Sequence, residues 1–491
     1  MGIAFGRTRK KSPHSESVNG VNSIRTWVAC PSRGAIHRYW LNTTFEEVGC
    51  LYGRSSVYSR SDCKVESEHT PQHLDRRTVP FPLPHYPSIA EADQFLFYYF
   101  SSTCTVRRSL VDYENPWRSV VLPLCYQSEG LLHIAIAWAA HTLRNQCDDR
   151  DVSRYEQLIL VHKCRSLEYL RNMVPQNTKD AAITLARTKE ERDALLLLVM
   201  FHCLLEIASG STKEWTYHMK GALMIMKFYT AVHGGLRTDI FSEEVLELVY
   251  SFFIEKDTFL GTTLHNADNL HWSTEVPSMF PFLSGRGSMK VNPCLGLSTE
   301  LLDIISSISS EVRRRRMPLR RASQAQSPAQ EFTRLRLRLI HLERLSHFGE
   351  PGSMALLSTA FEEATWIYLH HALGKQPRDS DIIQKIHLPK LLNTLEQIHR
   401  VQGPLLGFIP YPMWALFIAS CVVLEDDRVR ILEWFSVLKC NKPISNVPST
   451  MAAVKAIWKR RDLESGDSSP IVCQPIWTAA ISQLGWKMPF T

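Results

Sequence analysis

The sequence predicts an all-α protein, a multi-helix array preceded by a poorly ordered arm. Past residue 87, apolar residues recur at three- and four-residue steps through one long segment after another. Helix-start devices precede several of these segments. Alternating period-two runs bounded by turn residues are scarce, which disfavours a β-rich or doubly wound architecture. With 491 residues, 44% hydrophobic and 21% charged, the chain is long enough for a sizeable core and is not wholly disordered, fibrous or collagen-like.

The arm spans residues 1–87. It is rich in Ser, Arg, His and Asn, lacks a sustained period, and closes on the proline-rich PFPLPHYP at 80–87. Residues 1–80 hold twelve Lys and Arg against seven acids, so this stretch carries +5 of the net +7. A basic arm attracts nucleic acid or an import carrier, or is simply a solvated tail. The start, MGIAFGRTRKK, lacks the order of a secretory signal, and Gly6 stands where a myristoylation signal needs Ser or Thr. The longest apolar run, Ala194 to Ala208, is broken by His202 and Glu206 and is shorter than the roughly 20 residues a membrane span needs. A soluble chain without a membrane partner is expected.

From residue 88 a helical body is predicted to run to 491. Helical periods cover 128–144, 153–173, 191–209, 214–229, 243–260, 329–346, 354–373, 380–400, 412–424 and 426–439. Capping-box patterns stand at Ser88 with Glu91, Thr188 with Glu191, and Ser211 with Glu214. Ser327-Pro-Ala-Gln330 adds a proline at the first helical position. Gly374, with Pro377 beyond it, reads as a stop. An exposed basic loop around 311–328 is expected to separate two helical halves, near 88–290 and 329–491. It holds Arg313, Arg314, Arg315, Arg316, Arg320 and Arg321, a nuclear import candidate, and Arg-Arg-Ala-Ser323 has the form of a basic-directed phosphorylation site. A plain solvated loop explains the same residues.

Signatures of bond-making chemistry are missing: there is no Gly-rich phosphate loop, G-x-S-x-G elbow or H-E-x-x-H zinc helix. No catalytic, cofactor-binding or metal-ligating residue is assigned. Cys147-Asp-Asp-Arg-Asp151 comes nearest to the aspartate-rich metal helix of isoprenoid cyclases, but lacks a partner one turn on and a second metal box. His133 with His141, and His370 with His371, read as packing residues. The twelve cysteines include no C-x-x-C pair, so reduced thiols and no structural zinc are expected.

Asn115-Pro-Trp117, Leu122-Pro-Leu124, Ser128 to His133 and Ala137 to His141 resemble the first helical block of the fungal-specific transcription factor domain, the regulatory body of the fungal zinc-cluster regulators. Later segments keep the family's order. They are Leu167-Glu-Tyr-Leu170, Leu195 to Glu206, Trp215-Thr-Tyr-His218-Met-Lys-Gly221-Ala222, Ala364 to Leu369, Pro412 to Ala419 with Arg428, Arg430 and Phe435, Ile457 to Asp462, and Trp477 to Gly485. Trp215, Met219, Ala222 and Met226 line one helix face, Gly221 and Ala222 permit a close neighbour, and His218 is placed for a buried polar contact.

The resemblance implies a nuclear transcription regulator acting through a helical regulatory domain, not an enzyme. It implies the transcription machinery, DNA directly or through a partner regulator, a small-molecule effector between helices and a homodimer as partners. The family's six-cysteine zinc cluster is not found: the first hundred residues hold only Cys30, Cys50 and Cys63, so no cofactor is expected and direct DNA binding is in doubt. The alternative is an all-α enzyme of the terpene-handling type, which magnesium-dependent diphosphate binding would mark. A solenoid scaffold lacks the fixed repeat it needs.

Overall fold

The computed structural model describes residues 90–490, apart from 113–114, 148, 175–186, 234–238, 265–271, 285–289, 317–326, 346–351, 375–376, 402–410, 442–445 and 465–474. The expected arm, 1–87, lies outside the described residues. So do Arg320, Arg321 and Ser323.

The described chain is a helical array. Its α-helices are α1 Glu91–Tyr99, α2 Leu122–Cys125, α3 Glu129–Arg144, α4 Asp149–Met173, α5 Lys189–Ala208 and α6 Trp215–Val232. There follow α7 Glu243–Thr263, α8 Trp272–Met279, α9 Thr299–Arg316, α10 Pro328–Leu345, α11 Gly352–Leu373 and α12 Pro377–Ile382. The last five are α13 Leu388–Val401, α14 Met413–Val422, α15 Glu425–Asn441, α16 Asn446–Glu464 and α17 Ile476–Leu484. One small antiparallel hairpin, β1 Val291–Asn292 with β2 Leu297–Ser298, interrupts them, with Val291 opposite Ser298. Among the described residues no single helix is long and apolar enough to cross a membrane.

Local chemistry accounts for the starts and stops. Thr188 Oγ1 accepts from Glu191 N at 3.2 Å while Glu191 Oε2 accepts from Thr188 N at 2.9 Å, the reciprocal pair expected at that site. Ser211 Oγ accepts from Glu214 N at 3.0 Å, just ahead of α6. Gln330 Oε1 accepts from Ser327 N at 3.0 Å, and Pro328 opens α10. α1 differs from expectation: it starts behind Ala90, which makes no side-chain cap, and Ser88 lies outside the described residues. At the other end of the chain, Gly485 takes φ +65° after α17 and Trp486 N reaches back to Ile481 O at 3.4 Å, a left-handed stop suited to glycine.

The expected helix over 380–400 is present and contains one widened turn. A π-turn, Ile383–His387, separates α12 from α13. A second π-turn, Trp117–Val121, precedes α2. Each ends two residues before a proline, Pro389 and Pro123. A proline cannot donate to the carbonyl four residues back and its ring pushes that carbonyl away; here the carbonyls are those of Lys385 and Ser119, and widening the turn around them accommodates the ring.

α8, α9, α16 and α17 were not expected from the helical periods. In α9 the buried stripe Leu301, Leu302, Ile305, Ile308 and Val312 is interleaved with Ser and Arg, which mask the period. In α16 a proline, Pro448, sits in the first turn, where a missing N–H costs nothing. The expected basic loop over 311–328 is corrected in its first part: residues 311–316 are the last turns of α9.

The two expected halves share one apolar core running from Leu96 to Phe490. α3 packs on α4 and α5, α5 on α6 and α7, α7 on α9, and α9 on α10 and α11. α11 then packs on α13 and α14, α14 on α16, α16 on α17, and α17 returns to α7. Tryptophan N–H groups tie this circuit. Trp414 Nε1 donates to Thr262 Oγ1 at 3.1 Å, and Trp477 Nε1 donates to Thr262 O at 3.0 Å. Trp215 Nε1 donates to Lys487 O at 3.0 Å, and Lys487 N donates to Thr212 O at 2.6 Å, pinning the C-terminal tail against the start of α6. Phe259 stacks on Trp414 at 5.0 Å and on Phe361 at 5.8 Å, ring pairs worth roughly 0.5–1.5 kcal/mol each beyond their burial.

Thr262→Val keeps the shape of the side chain but leaves the Trp414 indole N–H without an acceptor, while Trp477 keeps its backbone carbonyl. The expected loss is about 1–3 kcal/mol, read as a lowered urea midpoint with an unchanged slope; an unaltered midpoint would remove Thr262 as the tie between α7 and α14.

Candidate functional site

α7 carries the feature that apolar packing alone does not explain. Its middle, Phe252-Phe-Ile-Glu-Lys-Asp-Thr-Phe259, puts three consecutive ionisable residues on a helix that other helices surround. Glu255, Lys256 and Asp257 are all buried, Lys256 to 1% exposure. Charges so placed must be paired and hydrogen-bonded to remain ionised. Lys256 Nζ donates to the Glu255 carboxylate and lies 5.2 Å from the centre of the Phe252 ring. Asp257 Oδ2 accepts from Trp272 N at 3.2 Å, which fixes the start of α8. Two turns on, Thr262 binds Trp414 and Trp477. This polar seam was not singled out from sequence; the signal available was a run of charges inside the apolar segment 243–260, which has no polar face to receive it.

α9 and α11 cover the same seam. Ser309 Oγ and Tyr368 OH are 3.0 Å apart. Arg313 lies within electrostatic reach of both Tyr368 and Asp257, and burial pushes its guanidinium pKa down while they oppose the shift. The arginine run is therefore a helix end applied to the body. Glu311 accepts from Arg314 Nη2 at 2.7 Å and from Arg315 Nε at 2.9 Å. Arg315 also donates to Leu373 O and Pro328 O, each at 3.1 Å, clasping the end of α11 and the start of α10. Cations at a helix C-terminus, with a carboxylate three and four residues earlier, are favourably placed, which offsets their mutual repulsion.

The histidines noted in the sequence are each engaged in packing contacts. His133 Nδ1 lies 3.0 Å from His162 Nδ1, and His162 Nε2 lies 3.0 Å from Asp93 Oδ1. His218, expected to hold a buried polar contact, stacks on His202 at 5.8 Å; His202 Nε2 is 3.0 Å from Ser166 Oγ. His370 Nδ1 is 2.8 Å from Asp379 Oδ1, whereas its neighbour His371 packs on the Trp477 ring at 4.9 Å. Among the described residues no group of three His, Cys, Asp or Glu is arranged to hold a metal ion. Asp149 to Asp151 open α4, while Asp148 lies outside the described residues. Trp215, Met219, Ala222 and Met226 are all buried on one face of α6.

Comparison with known proteins gives one match. A family model described as the fungal specific transcription factor domain matches residues 94–491, the whole helical body. No curated protein and no solved structure matches the chain.

The buried imidazoles give the body an acid sensitivity with a defined sign. Burial pushes His141, His218 and His371 down to about 4. Unfolded, each binds a proton near 6.5, so between about 6.5 and about 4 the unfolded chain binds more protons and stability falls as the pH drops. Burial pushes Asp193 up to about 6, which works the other way, but as one group against three. The melting temperature in calorimetry is expected to fall from pH 7 to pH 5; a flat or rising profile would contradict these burials.

Proposed function

The chain belongs to the fungal specific transcription factor domain family, and from that premise we propose that it is a nuclear transcription regulator that acts through helix packing and carries out no bond-making reaction. The family match over 94–491 is the observation that carries this reading, because it takes in the complete circuit of helices that meets at α7. A regulatory body of this kind holds two packings of different affinity for a partner, and a ligand shifts their populations by as much as it prefers one of them. The polar seam suits that role. Paired charges and hydrogen bonds have discrete geometries, so a displacement at one end of α7 is felt at Trp414 and Trp477.

Residues 1–93 hold three cysteines, Cys30, Cys50 and Cys63, at separations of 20 and 13, which is not the spacing of a six-cysteine zinc cluster. DNA is accordingly proposed to be engaged through a partner regulator, with the basic arm contributing salt-sensitive, sequence-independent attraction. In a binding titration at two salt concentrations, the intact chain is expected to bind DNA weakly and with no sequence preference, and removal of residues 1–80 to reduce the salt slope. Tight, sequence-selective binding by the intact chain would overturn the indirect reading.

Nuclear entry is proposed to use the basic segment from Arg313 to Arg321. Arg314 and Arg315 already hold Glu311 and two backbone carbonyls, so Ala at those positions would disturb the fold as well as any carrier contact. Arg320→Ala with Arg321→Ala is the cleaner test. A fluorescent fusion carrying both is expected to shift out of the nucleus, and unchanged distribution would remove this segment as the import signal.

A further inference from the structure

Arg108 closes a short 3-10 turn, Val106–Arg108, between a π-turn at Phe100–Cys104 and the π-turn at Trp117–Val121. Its guanidinium carbon lies 4.5 Å from the centre of the Trp138 ring and 5.2 Å from that of Trp117, and both rings are buried. Burial pushes its pKa down to about 10, against the opposing pull of Cys104, Cys294 and Glu255. Yet part of its surface remains exposed.

The donors are the unusual part. Arg192 donates to the carbonyls of Ile240, Arg187 and Asp239, and Arg315 to those of Leu373 and Pro328. The backbone N–H of Arg108 donates to Thr105 O at 3.2 Å, but among the described residues its guanidinium makes no hydrogen bond and no ion pair. Its aromatic contacts are to ring faces, and these leave the planar edge of five N–H groups to meet an acceptor. Glu255 lies within electrostatic reach but its carboxylate receives Lys256. Its charge discourages a second negative charge beside it, so the geometry suits a singly charged anion over a phosphate dianion. Around the guanidinium the surfaces are indole rings and two neutral thiols, which suit an apolar body.

We propose that Arg108, walled by Trp117 and Trp138, binds the carboxylate of a small organic acid with an apolar body, and that this acid is the effector of the regulator. The binding itself stands on the geometry; its regulatory meaning rests on the function proposed above. Glu255 connects the two, since it lies within electrostatic reach of Arg108 and sits on α7, two turns from Thr262.

The test uses the purified full chain with benzoate and octanoate, each against its neutral amide, and with inorganic phosphate. Melting temperature and titration calorimetry report binding. Each acid is expected to raise the melting temperature and to bind at least about tenfold more tightly than its amide, because a charge-assisted fork is lost in the amide. Arg108→Met, which keeps an apolar side chain between the rings, is expected to abolish the difference while circular dichroism stays unchanged. Should that variant fail to fold, the acid and amide comparison on the unaltered chain decides. Equal binding of acid and amide, no binding of either acid, phosphate binding more tightly than both acids, or full binding by Arg108→Met each overturns the site. Chromatin occupancy in the native host separates the two claims. Occupancy without acid binding removes the site and leaves the regulator, whereas acid binding without occupancy does the reverse.

Discussion

The body depends on satisfying the charges buried on α7. A helix surrounded by other helices cannot send Glu255, Lys256 and Asp257 to solvent, so every one of them needs a partner supplied by the fold. Lys256 takes Glu255, Asp257 takes the amide that starts α8, and Arg313 approaches from α9. The same helix ends in Thr262, where two tryptophans from distant parts of the chain arrive. Those demands specify which helices lie beside α7 and in what register, a discrimination that apolar packing alone makes weakly.

Two further devices hold the array to one geometry. Proline at 123 and 389 accounts for a widened turn just before it. The second of these turns ends on His387, whose ring stacks on Trp366 at 5.2 Å and whose Nδ1 lies 2.7 Å from Glu363 Oε2. The arginine clasp works at the C-terminal end of α11. Arg315 donates to the last carbonyl of α11 and to Pro328 O while Glu311 holds its guanidinium in place, so three helix ends meet at one side chain. A segment that reads in sequence as a surface signal thus has a packing role in its first part.

These features bear on function together. Membership of the fungal specific transcription factor domain family places the chain among transcription regulators. A core whose helices are joined through paired charges and single indole hydrogen bonds can exist in a small number of arrangements, each with its own set of partners. Arg108 packs against two tryptophans, within electrostatic reach of Glu255. An anion bound there would alter the field on the seam without touching the outer helices.

Much of the architecture is legible from sequence because it follows from local periodicity and local caps. The strongly amphipathic or wholly apolar helices, the Thr188 capping box and the buried face of α6 depend on residues three or four apart, and such patterns survive without knowledge of the rest of the chain. α9 and α16 escape because Ser, Arg and Pro blur their period, and only contact with α7, α11 and α14 reveals which residues point inward. The helical state of Arg313 to Arg315 is likewise tied to neighbours distant in sequence. The Arg108 box joins residues from four separate segments, 104–108, 117, 138 and 294 with 255 behind them. Composition and spacing determine that this chain forms helices with apolar faces. Which charge meets which partner is decided by tertiary structure alone, because electrostatic and hydrogen-bond pairing act through space at a few ångströms, and that proximity is not written in any one stretch of sequence.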